Sequence, residues 1–311
     1  PEDVDIRILT SIGNCYRKMK QFDRGVYYFE KALEKDPDNF YGLFGLADCY
    51  RGMKQQQHSI KYWEAILNKD PNNKVILTRM GDAYRHIGDY EKAEQIYQRA
   101  LDIDYDSYAI LGLAILCKIQ GKYDEAISEY EKLLNSKFNE VEEFSLYARM
   151  GDTMAYANNI KEVIKYYNIA INCENVEDYI FEDYFEILFR AGEYSEIKIL
   201  LLNYENATNE NKKLSRIKML NLQGRFFVKV ADYESAQKVC DKMIILEPEN
   251  FRHYVNLAYI LELQHKYDRA LECVDKMEKI MEDKEFPKEL RKRIRKNKRK
   301  FEREKKKNSE E

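Results

Sequence analysis

The side chains best equipped for catalysis or metal binding are few in this chain, and they are scattered. The four histidines stand at positions 58, 86, 253 and 265, and the six cysteines at 15, 49, 117, 173, 240 and 273. A nucleophile needs a base and an orienting group, and a structural metal needs three or four soft donors at short spacings. No C-x-x-C occurs and no histidine lies at ligand spacing from a cysteine, so the thiols read as core residues of a protein from a reducing cytoplasm. Cys15 and Cys49 share one place in the repeat described below, which points to packing and not to reactivity. The runs DPDNF (36–40) and DPNNK (70–74) lack the ligand spacing of a calcium loop and read as turns. No glycine-rich phosphate loop is present, and Asn206-Ala207-Thr208 is a glycosylation triplet with no role in a cytoplasm. No catalytic residue, metal ligand or cofactor is assigned.

Binding through surface is the remaining chemistry, and the charge distribution gives it a shape. With 311 residues and 44% hydrophobic composition, the chain can bury a large core. The net charge of −3 hides an asymmetry, because residues 288–307 carry 13 Lys/Arg against 3 Glu and leave the rest of the chain at about −13. There is no run of eighteen apolar residues, so no transmembrane contact is expected. The first residue is Pro1, which leaves room for a preceding segment, a leader or anchor included, that the sequence does not contain.

The elements that must carry this surface repeat. GNCYRKMKQFDRGVYYFEKAL (13–33), GDAYRHIGDYEKAEQIYQRAL (81–101) and GDTMAYANNIKEVIKYYNIAI (151–171) are variants of one sentence, and five further copies fill the gaps. Gly13, Ala47, Gly81, Ala114, Gly151, Phe185, Gly224 and Ala258 occupy one slot, at successive spacings of 34, 34, 33, 37, 34, 39 and 34. Each unit divides near a GD or GK into two stretches with apolar residues at three- and four-residue steps and no internal Pro. The second stretch ends near Pro37, Pro71 or Pro248 with Asp, Asn or Glu beside it to start the next helix. The small slot lets helix A approach helix B. Ala32, Ala93, Ala100, Ala126, Ala170, Ala236 and Ala270 meet the same demand from helix B, and large partners are Tyr16, Tyr50 and Tyr84 in helix A and Phe29, Trp63, Tyr97, Tyr130 and Tyr167 in helix B.

With Leu77, Gly81, Tyr84, Gly88, Tyr90, Ala93, Tyr97 and Ala100 in place, the chain resembles the tetratricopeptide repeat (TPR) family, although Tyr105 replaces the family's proline. Residues 178–211 depart furthest from the pattern, with Phe185 in the small slot and Ile197 in place of alanine. The resemblance implies an all-α, right-handed α-solenoid of antiparallel helix pairs. The expected organisation is an N-terminal segment 1–5, a solenoid 6–284 with repeats at 6–39, 40–73, 74–106, 107–143, 144–177, 178–216, 217–250 and 251–284, and a basic C-terminal helix and tail 285–311. Leu290, Ile294 and Phe301 give that helix one narrow apolar stripe with which to cap the last repeat. The lengthened joints at 135–144 and 206–213 are candidate bends.

The family exposes one set of A-helix positions along a concave groove. In repeats one to three this register selects Arg7, Thr10, Asn14, Arg17, Lys18, Tyr41, Phe44, Asp48, Arg51, Val75, Thr78, Arg79, Asp82, Arg85 and His86. Asn14, Arg17, Tyr41, Phe44, Arg51, Arg79, Asp82 and Arg85 are the candidate peptide-binding residues. Repeat six turns acidic at Glu182, Asp183 and Glu186, and a secondary set follows at Lys218, Asn221, Arg225, Lys229, Arg252 and Asn256. Arginines that otherwise repel one another would be satisfied by a carboxylate, so an extended or acidic protein segment is the expected occupant. A TPR subclass grips chaperone C-termini with five residues; Asn14 and Arg79 match it, whereas Thr10, Gly45 and Val75 do not. The expected function is a non-enzymatic scaffold for protein–protein interaction. The alternatives are nucleic-acid or anionic-surface binding through the tail, with only Phe301 available to stack, and self-assembly.

Overall fold

The computed structural model of the chain describes residues 5–206 and 216–310. The described residues form seventeen helices and no strand. They pair as α1 (Ile6–Lys18) with α2 (Phe22–Lys35), α3 (Phe40–Gly52) with α4 (Gln56–Leu67), α5 (Lys74–Ile87) with α6 (Tyr90–Ile103), α7 (Ser107–Ile119) with α8 (Tyr123–Leu134), and α9 (Glu143–Tyr156) with α10 (Ile160–Ala170). The remaining pairs are α11 (Asp178–Ala191) with α12 (Tyr194–Asn206), α13 (Arg216–Lys229) with α14 (Tyr233–Leu246), and α15 (Phe251–Leu263) with α16 (Tyr267–Ile280), followed by α17 (Glu285–Glu310). The chain divides into two compact units, 1–176 and 177–311, at the joint between α10 and α11. Within each unit a helix packs on its neighbours in sequence, and α1 on α3, α5 on α7 and α11 on α13 also touch. This is an α-solenoid. The polar run 206–213 and the triplet 206–208 lie outside the residues whose side chains are described.

Local chemistry sets where the helices start. Asn39 and Asn73, from the proline turns, accept from the backbone N–H of Gly42 and Ile76 and cap α3 and α5. Asp89, Asn159 and Asp232 cap α6, α10 and α14 in the same way. The turn between the helices of each pair has one fixed requirement, since residues 20, 54, 88, 121, 158, 192, 231 and 265 all have positive φ. Gly88, Gly121 and Gly192 meet it without strain, while Lys20, Lys54, Asn158, Ala231 and His265 adopt the left-handed region with a side chain attached.

The core is a line of rings. Phe29, Trp63, Tyr97, Tyr130 and Tyr167 are at most 1% exposed, and the small slot exists to admit them. A Cβ added at Gly81 would lie 2.6 Å from Tyr97, and one at Gly112 on the next A helix would lie 2.3 Å from the same ring. Phe29 is clamped likewise between Gly13 and Gly45. The small slot is therefore double, and the sequence reading identified only half of it. Tyr16 and Tyr50 are half-buried and stack on Tyr28 and Tyr62 at the edge of the core. Cys49 is buried against α2, whereas Cys15, its counterpart, is exposed. Phe185 is fully buried in the small slot of α11, and α11 and α12 pack less closely than the other seven pairs.

The C-terminal helix caps the second unit. Leu290 and Ile294 are buried against α15 and α16, and Phe301 stacks on the His265 ring at 4.2 Å. That histidine is exposed, and Phe301 covers one face of its ring. Arg291 pairs with Asp275 and Glu278, Arg293 with Glu262, and Lys298 with Asp268.

Two pairs of substitutions check this account by denaturant unfolding. Gly81→Ala should cost about 1–3 kcal/mol, because the Tyr97 ring is held on its far side by Gly112 and cannot retreat. Gly224→Ala, whose Cβ would meet only Val239 at 3.6 Å, should be neutral or stabilising by up to about 1 kcal/mol. At the turn, Ala231→Gly should stabilise by about 0.5–1 kcal/mol and Gly88→Ala should destabilise by about 1 kcal/mol, with no contact changed in either case. Equal effects within either pair would contradict the register.

Candidate protein-interaction face

In the first unit one aspartate, at the ninth residue of α3, organises arginines from three A helices. Asp48 of α3 has a side chain only 2% exposed. Its Oδ2 accepts from Arg17 Nη1 of α1 at 2.8 Å, and its Oδ1 accepts from Arg79 Nη1 of α5 at 2.8 Å and from Arg51 Nε at 3.1 Å. Arg17 also donates through Nε to Asn14 Oδ1 at 3.3 Å, and the Arg79 guanidinium lies 5.1 Å above the Phe44 ring. Asn14, Arg17, Phe44, Arg51 and Arg79 are thus brought together. What unites them is a carboxylate of the chain itself, so the expectation that these arginines only repel one another until a ligand arrives is corrected.

Asp82, at the ninth position of α5, does different work. Its Oδ1 accepts from Tyr97 Oη at 2.7 Å and from Arg85 Nη2 at 2.9 Å, and Arg85 Nε reaches Tyr97 Oη at 3.3 Å. Burial and then the Asp82 charge push the Tyr97 phenol far above its usual range, which keeps it a neutral donor. Burial opposes the charge of Arg85, yet its hydrogen bonds to Asp82 and Tyr97 prevail and hold its pKa above the ordinary value. Asp82 and Arg85 are therefore fixed to the core ring. Asp152 and Tyr167 repeat the contact at 2.7 Å. An aspartate in helix A followed fifteen residues later by a tyrosine in helix B was the sequence signal for this pair. Tyr41 stands apart, 66% exposed and edge-on to Phe40.

In the second unit the alternation of sign resolves into pairs between adjacent repeats. Lys218 Nζ meets Glu182 Oε1 at 2.7 Å, and Arg225 forks onto both oxygens of Glu186 while lying 5.5 and 5.2 Å over the Phe185 and Phe189 rings. The hydrogen bond from Arg225 holds the Glu186 carboxyl below its usual value. Asn221, Arg225 and Asn256 line one cavity with Lys229, whereas Arg252 is exposed outside it.

The histidines stay separate. His58 stacks on Tyr50 at 5.1 Å, His253 is buried with Nε2 2.8 Å from Glu247, and His86 is exposed with its pKa lowered by burial and by Arg85. Among the described residues no cluster of three or more His, Cys, Asp or Glu could hold a metal ion, and no helix is long and apolar enough to cross a membrane.

No curated protein matches the chain. Among solved structures, it is similar to the MamA protein at 24% identity, covering 53% of this chain and 90% of that one with a TM-score of 0.45. A tetratricopeptide repeat protein from Parabacteroides merdae ATCC 43184 aligns at 17% identity, over 83% of this chain and 85% of that one, with a TM-score of 0.48. A chain of the APC/C hetero-tetramer Cut9-Hcn1 aligns at 16% identity, over 88% and 52% of the two chains, with a TM-score of 0.44. Family models described as "Tetratricopeptide repeat" match residues 6–39, 43–106 and 78–139, the stretch that contains the clamped rings, and the chain is a tetratricopeptide repeat protein.

Proposed function

We propose that the chain is a non-enzymatic scaffold that holds an extended, acidic segment of another protein against its A-helix face. Tetratricopeptide repeats mediate protein–protein interaction, and this supports the general role. The observation that carries the particular reading is the Asp48 cluster. Three guanidiniums share one buried carboxylate, so the cluster keeps an excess of two positive charges, and Arg17, Arg51 and Arg79 remain 26%, 45% and 33% exposed. Asp48 pre-orients the donors that a partner carboxylate would meet, which lowers the ordering cost of binding. Tyr41 and Phe44 add apolar contact beside them, and Asn14 offers an amide to a peptide backbone.

Arg51 is the residue to remove, because it is the most exposed of the three and lies three residues from Asp48 on its own helix. Arg51→Ala should weaken binding of a partner captured on the immobilised chain by about three- to ten-fold and flatten its salt dependence, with stability changed by less than about 0.5 kcal/mol. Unchanged affinity, with loss of binding on Arg252→Ala instead, would move the occupant to the second unit. Asp48→Ala should lower stability by about 1–3 kcal/mol, since three helices lose the counter-charge that joins them. An unaltered unfolding midpoint would show that the arginines stand without it.

A second reading rests on α17. Lys292, Arg295, Lys296 and Arg299 are exposed and lie outside the ion pairs that dock the helix. They form a cationic face suited to phosphates. Charge reversal at Arg295 and Arg299 should leave partner capture intact if the scaffold reading holds. Loss of RNA or DNA binding in the same variant would establish the second activity.

A further inference from the structure

The ring on which the first five repeats are built is missing from the last three, where Leu201, Cys240 and Val274 stand in its place, and of these Cys240 is the smallest. Cys240 of α14 occupies the place that Phe29, Trp63, Tyr97, Tyr130 and Tyr167 hold in the first five repeats. Gly224 of α13 corresponds to Gly81, and Asn256 of α15 to Gly112, the two residues that clamp Tyr97. In repeat three the space between those positions is filled to the point that any Cβ would collide with the ring. In repeat seven it is open. Cys240, Gly224 and Asn256 all line a single cavity of about 320 Å³ between α13 and α15, within the size range of sites for small organic groups.

The chemistry of the cavity follows from what surrounds it. Met243, Leu220, Phe189 and Tyr259 make apolar walls, and Cys240 is buried with its thiol pushed up to about 12 by that burial, so the floor is neutral. Arg225 is already committed to Glu186 and to the faces of Phe185 and Phe189, which leaves Lys229 as the exposed cation at the mouth. Asn221 and Asn256 are exposed there too and present amides that can both donate and accept.

We propose that this cavity is a socket for an aromatic side chain of a partner segment, seated where the missing ring of repeat seven would lie, with an acidic neighbour in that segment meeting Lys229. The inference rests on the scaffold reading and adds to it the residue type that the segment must carry. Three features select the occupant. The cavity has a ring's position between two A helices, its walls are apolar and include Met243 and two aromatic rings that favour a ring as guest, and its mouth is cationic with two amides able to bond an extended backbone. A bound aromatic would restore across α13 and α15 the wedge that Tyr97 supplies across α5 and α7.

The test uses the full chain and two fluorescein-labelled pentapeptides, Gly-Asp-Trp-Asp-Gly and Gly-Asp-Ala-Asp-Gly, read by anisotropy. The tryptophan peptide should bind about ten-fold or more tightly than the alanine peptide, and only the former should shift the Met243 methyl resonance. Cys240→Phe fills the socket from within and should abolish the difference. Tyr259→Ala, at a residue 49% exposed, removes one wall with little risk to folding and should reduce it. Equal affinity of the two peptides for the wild-type chain would overturn the socket, as would a tryptophan preference that survives both substitutions. Partner capture on the immobilised chain reports separately on the scaffold reading. Capture with no tryptophan preference removes the socket and keeps the scaffold, whereas a tryptophan preference that Cys240→Phe abolishes, with no protein captured, removes the scaffold and keeps the socket.

Discussion

The first unit depends on one steric constraint, the clamping of a helix-B ring between two successive A helices. Tyr97 shows it most directly, with Gly81 of its own repeat and Gly112 of the next both closer than a side chain would permit. Because the ring touches two A helices at once, it fixes the approach within a repeat and the stacking of one repeat on the next. The hydroxyl adds a directional element, since Tyr97 and Tyr167 donate to the ninth-position aspartates Asp82 and Asp152. That bond reaches from the core to the A-helix face. The same residue that packs the first unit therefore orients a charged group on the A-helix face.

Charge on that face follows the same neighbour-to-neighbour logic. Asp48 draws Arg17, Arg51 and Arg79 from three consecutive A helices, and Glu182 and Glu186 hold Lys218 and Arg225 of the following repeat. A buried carboxylate without cations around it would be costly, and three close guanidiniums without a carboxylate would repel. Each group makes the other tolerable. The surplus of cations over anions at Asp48 is then a property of the assembled helices, not of any single residue.

Much of this was legible in the sequence, because a repeat states its own register. Helices begin at or within one residue of the positions that the eight-fold period assigns to the A helices, and the five large helix-B residues expected in the core are all buried. The period itself says nothing about which residues of different repeats become partners. The counter-ion of Arg17 and of Arg79 lies 31 residues away in each direction, so the register could place Asp48 on the basic face without showing that it pairs with them. Gly45 and Gly112 were hidden for a related reason, as they act on the ring of the preceding repeat. The left-handed turn residue escaped because lysine, alanine and histidine fill it in four repeats without the glycine that would announce it.

Departures from the pattern carry more functional information than the pattern itself. A solenoid is held by contacts between neighbours, so a change in one repeat disturbs only the repeats beside it and is free to accumulate where it is useful. Phe185 in the small slot of α11 and Cys240 in the ring slot of α14 are opposite departures, the first adding bulk where the pattern wants none and the second removing it where the pattern wants most. Phe185 is absorbed by packing, with Arg225 lying over its face and Phe189 stacked beside it. Cys240 is not absorbed, and the space remains open on the side where the A helices present their amides and cations. On the proposed reading, that open space beneath polar groups is where the ring of a partner segment takes the place that Cys240 leaves empty.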